Sequence, residues 1–256
     1  MNFIIAVIQA RSGSTRLPGK VLLKLAGKNV LEHIVARVNK SRYIKEVVVA
    51  TTILKEDLRI VKLCSSKGIR VYCGSENDVL DRYYQIARLY GADHIVRITA
   101  DCPLIDPSVI DKVAEFHLKS KADYTANVVQ YSYPDGEDTE IFTFETLKKA
   151  WEKGILSSER EHVTPYILKH PELFHIEGVK LMHDLSGKRW TLDNREDYMF
   201  IRAVYQKLYK KNNIFGMKDI LRFLKLNPQI EKINQHIIRN EGYAKSLKED
   251  RILGIV

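Results

Sequence analysis

Through the first 120 residues, short apolar β-branched runs take turns with segments whose apolar positions recur at helical spacing. Residues 3–8 read as a buried strand, and 46–51, 69–72 and 94–98 repeat the type. Val30, Leu31, Ile34, Val35 and Val38 share one helical face and predict a helix over 30–38. Further helices are predicted over 56–67 and 79–90, stopped by Gly68 and Gly91, and over 108–120. Strict alternation of strand and helix predicts a mostly parallel α/β sheet covered by helices on both faces. Ligands of such sheets sit outside the carboxyl ends of the strands, and the loops at 11–20, 74–78 and 99–103 all fall on that edge.

Beyond Lys121 the rhythm breaks. Residues 123–133 read as a strand running into a turn at Pro134-Asp135-Gly136, and 140–144 as another strand. Helices are expected over 144–153, from 157 onward, over 196–210 and over 217–226, where Asn227-Pro228 ends the pattern. Lys188 to Asp193 predicts a strand returning to the sheet, with Trp190 as a core residue. The tail from Ile230 to Val256 is charged and helical in part.

Composition narrows the function classes. The 256 residues, 45% hydrophobic and 29% charged, suit a globular chain with a sizeable core, and no apolar run reaches membrane-spanning length. The sequence enters its first strand without a basic leader, so a cytoplasmic protein without membrane association is expected. Three cysteines are too few and wrongly spaced for a disulfide framework or a zinc site. A net charge of +9 raises a nucleic-acid reading, but the cations are scattered beside acids and no recognition pattern accompanies them. The excess is better read as solvated surface plus an electropositive site for anionic substrates.

The chemistry concentrates in Ala10-Arg11-Ser12-Gly13-Ser14-Thr15-Arg16-Leu17-Pro18-Gly19-Lys20. Three cations, two hydroxyls and glycines that admit a close backbone approach suit a polyanion; a plain basic surface loop is the competing reading. It is not a P-loop, since Val21 rather than a hydroxyl residue follows Lys20, and Gly13 and Gly19 miss the dinucleotide spacing. Asp101, after a buried strand and before Cys102-Pro103, is placed either to hold Mg²⁺ or to shape a turn, and spacing alone leaves these even. No histidine lies near Cys102 in sequence to activate it, so it reads as a small buried cysteine.

The run Ala10-Arg11 followed by Gly13 to Lys20 resembles the signature loop of the sugar-acid cytidylyltransferases, which make CMP-activated 3-deoxy-manno-octulosonate and sialic acids. Within them the chain is most similar to the spore-coat polysaccharide biosynthesis branch. The resemblance implies a Rossmann-like nucleotide-diphospho-sugar transferase fold of GT-A type. Residues 1–210 would be the nucleotidyltransferase domain, with about 123–187 as an acceptor and dimerisation insertion, and 211–256 a helical C-terminal extension. It implies Mg²⁺-dependent transfer of CMP from CTP to an acidic sugar with release of pyrophosphate, in a homodimer.

Carried onto this chain, the resemblance sets the base near Ala10, a phosphate on Ser14, and growing charge on Arg11, Arg16 and Lys20. Arg11, Lys20 and Asp101 become the catalytic set, and Asp101 and Asp193 the Mg²⁺ ligands. The run around Asp193 departs from the usual pattern in carrying Asn194-Arg195, and Asp193 could equally cap the following helix. Asp81 and Arg82 are candidate base or ribose contacts, although Arg82 also suits an ordinary helix-surface pair. Arg160 or His162 would meet the acceptor's carboxylate, against the reading of Glu159-Arg160-Glu161 as a solvated helix start. The alternatives are a nucleotidyltransferase with another nucleotide or acceptor, a GT-A glycosyltransferase, and a basic nucleic-acid-binding protein. Asp101-Cys102-Pro103 lacks the second aspartate that the glycosyltransferase needs.

Overall fold

The computed structural model describes residues 2–210, 214–239 and 250. Its elements run β1 (Ile4–Gln9), β2 (Lys24–Leu25), β3 (Lys28–Asn29), α1 (Val30–Val38), β4 (Glu46–Thr52), α2 (Leu58–Ser66), β5 (Arg70–Gly74), α3 (Val79–Tyr90), β6 (His94–Thr99) and α4 (Pro107–Ser120). Then come β7 (Tyr124–Ala126), β8 (Glu140–Thr143), α5 (Phe144–Lys153), α6 (Ser157–His162), α7 (Pro165–Lys169), β9 (Ile176–Gly178), α8 (Arg195–Leu208), α9 (Met217–Leu226) and α10 (Pro228–Glu231).

The main sheet has the order β5-β4-β1-β6-β8-β7-β9. Its strands are parallel except β8, which runs against both β6 and β7. β1 lies at the centre of the parallel part, and its apolar run is continuous because both faces are covered. Ile4, Ala6 and Ile8 face a core built with α1, α2, α4, α8 and α9. Ile5 and Val7 face the opposite core, filled from α3, α5 and α7. At Gly91, φ is 61°, a left-handed conformation that closes α3 where the sequence places its stop. Among the described residues no helix is long and apolar enough to cross a membrane.

Two expectations change. Residues 188–193 form no strand: only an isolated bridge joins Arg189 to Asp135, while Trp190 and Leu192 are buried in the core. The apolar alternation there reflects packing, because the segment's neighbours are the turn at Gly136 and the loop at Asp101 rather than a strand. The last strand is instead β9, whose Glu177 and Gly178 carry no β-branched signal. Of 123–133 only Tyr124–Ala126 is strand. The 123–187 stretch is built into the sheet through β7, β8 and β9, and Phe215, Ile220 and Leu224 join the α1-side core. After α10, residues 232–239 run mostly in turns; the remainder of the expected helical tail, 240–249 and 251–256, lies outside the described residues.

Candidate active site

At the carboxyl edge of β1 and β6 lies a cleft of about 790 Å³. Its near wall is the 10–20 loop, tied down before it reaches the ligand side. Ala10 N donates to Ala50 O at 2.9 Å, and Ser12 N to the buried Asp57 carboxylate at 2.6 Å. The Ser12 carbonyl accepts from both Ser14 N and Gly19 N, at 2.9 and 3.1 Å, folding the loop back on itself. Gly19 takes φ 66°, and Lys20 follows on a single 3-10 turn, Lys20–Leu22. Ser14 Oγ accepts from Leu17 N at 3.2 Å, which leaves its O–H to donate into the cleft.

Lys20 gathers the site. Its Nζ donates to Asp101 Oδ2 at 3.2 Å, Asp193 Oδ1 at 2.8 Å and Leu192 O at 2.9 Å. Burial opposes charge on both partners. It is outweighed on Lys20 by Asp101 and Asp193, which raise the ammonium's pKa. On Asp101 it is outweighed by Lys20 and by hydrogen bonds from Thr99 and Cys102, so the carboxyl is held well below its ordinary range. Arg16 reaches Asp193 Oδ1 at 3.1 Å, and Arg11 reaches Glu161 across the mouth at 3.5 Å.

The turn carrying Asp193 is held from behind by a buried ion-pair network. Arg189 donates to both carboxylate oxygens of Asp197 at 2.9 Å, and to Asp135 Oδ2 at 3.1 Å. Asp197 in turn accepts from the backbone of Asp193 and Asn194 at 2.9 Å each. Asn194, not Asp193, is the N-cap of α8, so the Asp193 carboxylate is left to the cleft.

The far end is rich in carboxylates. Glu140 is ion-paired with Arg97 and accepts from Tyr124 Oη at 2.7 Å and Thr164 Oγ1 at 2.8 Å. Asp135 and Asp138 share Arg239, at 3.6 and 2.6 Å. Burial, then Asp138, pushes the Asp135 carboxyl up to about 7 despite Arg239 and Arg189. Burial pushes the His162 imidazole down despite Glu161 beside it. Burial also drives the Cys102 thiol well up, which keeps it an inert thiol.

Of the residues singled out in the sequence, Ala10, Arg11, Ser14, Arg16, Lys20, Asp101, Asp193 and His162 line the cleft. Asp81, Arg82 and Arg160 do not line it. Asp81 accepts from Trp151 Nε1 at 2.8 Å and Gln85 Nε2 at 2.9 Å, joining α3 to α5. Arg160 is spent on Asp78 and on Trp151 O at 2.8 Å, a tie between α6 and its neighbours. Arg82 is buried against Gly74, where a Cβ would stand 2.7 Å from its Cγ, and its Nε and Nη1 have no hydrogen-bond partner among the described residues. Sequence reasoning missed Asp57, Arg97, Arg189 and Arg239, and named no role for Asp135 and Asp138 individually. The Pro-Asp-Gly turn was the available signal for Asp135; nothing marked Arg239.

Asp101 and Asp193 fit a divalent cation as a pair. Both contact one ammonium group, both present oxygen, and both border the polyanion loop, which is the donor chemistry Mg²⁺ takes. Among the described residues no three metal-ligating side chains converge, so the remaining positions would fall to phosphate oxygens and water.

A family model described as cytidylyltransferase matches residues 5–226. The spore coat polysaccharide biosynthesis protein SpsF of Bacillus subtilis is 33% identical over 235 residues, 89% of this chain and 96% of that protein. A 3-deoxy-manno-octulosonate cytidylyltransferase of Geobacter sulfurreducens is 40% identical over 111 residues, 43% of each chain. The structure of a cytidylyltransferase from Leptospira borgpetersenii superposes with a TM-score of 0.86 at 33% identity, over 94% of this chain and all of that one.

Proposed function

The chain belongs to the cytidylyltransferase family, and from that premise we propose that it transfers CMP from CTP to a hydroxyl of an acidic sugar, with Mg²⁺ held by Asp101 and Asp193. The observation that carries the reading is the meeting of the 10–20 loop with those two carboxylates on one ammonium group. The acceptor oxygen bonds to the α-phosphorus of CTP, the α–β bridging P–O bond breaks, and pyrophosphate leaves with that electron pair. The hydroxyl's proton passes to the carboxylates of the cleft. Mg²⁺, when bound, supplies charge neutralisation at the phosphate oxygens.

Arg11, Arg16 and Lys20 take the charge that builds on the phosphates, and the Ser14 hydroxyl donates to a phosphate oxygen. Ala10, buried at the end of β1, offers backbone to the base. Arg82 belongs to the same reading. Arg82 feels the charge of Arg11 but does not line the cleft, so a contact from its two buried nitrogens to a base or ribose oxygen would require the side chain to turn toward the loop. Asp81 would hold that part of α3 in place rather than meet the ligand itself. A homodimer is part of the proposal; edge strand β9, with Val129 exposed beside it, supports it.

A second reading has its own support. Arg160 is engaged elsewhere, His162 is held toward its neutral form, and Asp135, Asp138 and Glu140 crowd the far end. Those carboxylates favour an acceptor read through hydroxyl or amine donors rather than through a carboxylate. Pyrophosphate release with Mg²⁺ separates the cases, using each of the four nucleoside triphosphates against acidic sugars and neutral or amino sugars. CTP with an acidic sugar only is the expected result. Activity with neutral sugars alone moves the acceptor class, and silence with every nucleotide overturns the site.

A further inference from the structure

The ammonium of Lys20 lies between the two carboxylates assigned to the metal, at 3.2 and 2.8 Å, with Leu192 O as its third acceptor at 2.9 Å. This places one cation of the polyanion loop on the oxygens that a divalent cation would need. We propose that Lys20 and the divalent cation compete for the Asp101–Asp193 pair, so that metal enters only when a polyphosphate draws the ammonium away. The inference rests on the proposed site, and it assigns Lys20 a role in ordering ligand entry besides its charge on the phosphates.

The charges around the pair support the exchange. Arg16 holds Asp193 Oδ1 at 3.1 Å and Arg189 reaches Asp193 Oδ2 at 3.4 Å, so Asp193 is already surrounded by positive charge. Arg11, the remaining loop cation, is held by Glu161. Each loop cation therefore has a carboxylate partner that a polyphosphate would replace. A polyphosphate takes the loop cations and leaves Asp101 without a counter-charge and Asp193 with Arg189 alone, which is the condition in which the pair binds a divalent ion best. Coupling of this kind is reciprocal: the metal, by holding the carboxylates, also frees Lys20 for the phosphates.

Mn²⁺ alone is the probe, with free ion counted by electron paramagnetic resonance in the absence of nucleotide. Lys20→Met should bind Mn²⁺ at least tenfold more tightly than the wild type, and Lys20→Met/Asp101→Asn should lose that gain. Equal binding by Lys20→Met and wild type, or a gain that survives in the double variant, overturns the proposal. A measurement on the unaltered chain guards against a misfolded variant. The ¹⁵N signal of the Lys20 ammonium should respond to tripolyphosphate in EDTA and stay in place with Mg²⁺ alone; displacement by Mg²⁺ alone overturns the proposal. Calorimetry of CTP binding by the wild type separates the two failures. Absence of CTP binding fails the nucleotide reading, whereas CTP binding without the Mn²⁺ gain fails only the exchange.

Discussion

A single ammonium group ties the proposed nucleotide loop to the carboxylate pair, so the proposed chemistry is most exposed to substitution at Lys20 and Asp101. On the proposed reading, Lys20→Ala removes a charge from where negative charge would develop, and Asp101→Asn removes a carboxylate from the pair that would hold Mg²⁺. Each should lower turnover by about 10²–10³-fold, the usual cost of one such stabilising group. Circular dichroism spectra should match the wild type, and wild-type rates in either variant would refute the assignment. These residues were legible because the 10–20 run and the strand–Asp–x–Pro turn are local patterns. Arg189 and Asp57 were not, because their work is done across 45 residues of chain or through a bidentate pair that no spacing announces. Asp81 and Arg160 show the converse: each sits in a family-like segment, yet the fold spends its side chain on neighbouring helices.

At the scale of elements, alternation alone recovered the sheet through α4, and α1, α3, α5 and α9 begin and end where their periodicity does. What it could not assign was the mixed half of the sheet. β7 and β9 are three residues each, too short for a period, and the stronger pattern at 188–193 belongs to a buried irregular segment. The packing of α4 on β6 and β7 carries a pH dependence. His117 is buried, with Nε2 3.0 Å from His94 Nδ1 and Nδ1 3.0 Å from Thr125 Oγ1. Burial, then His94, pushes its pKa down to about 3 from an ordinary 6.5. A depressed histidine adds stability that is present above about pH 6.5 and is lost as pH falls toward 3, at up to about 1.4 kcal/mol per pH unit. His117→Gln removes that dependence. Urea unfolding at pH 7, 6 and 5 should therefore show the wild type losing stability faster than the variant, and parallel losses would refute the idea.

On the scale of the whole molecule, the C-terminal segment packs against the residues that build the cleft. Lys188 pairs with Glu231 at 2.5 Å, and Asn234 Nδ2 donates to Asp197 at 2.8 Å, fixing the segment on the network behind Asp193. From there Arg239 reaches back 101 residues to Asp138 at 2.6 Å, with its guanidinium 4.0 Å from the centroid of the Tyr131 ring. Tyr131, Asp135 and Asp138 also line the cleft. Arg239 thus sets the orientation and charge of the carboxylates that an acceptor would meet, and touches the nucleotide side only indirectly, through Asp135 and Arg189. A lost charge-assisted hydrogen bond of this kind costs about 1.5–3 kcal/mol. Arg239→Ala should raise the acceptor's KM by roughly tenfold or more, with Arg239→Lys intermediate because it keeps the charge without the planar fork. CTP affinity, read by calorimetry, should fall less than acceptor binding does, since Arg239 reaches Asp193 and the loop only through Asp135 and Arg189. An equal loss of CTP and acceptor binding would show instead that the segment only braces the fold. In that case the far end of the cleft would be shaped by β7, β8 and the 134–139 turn alone.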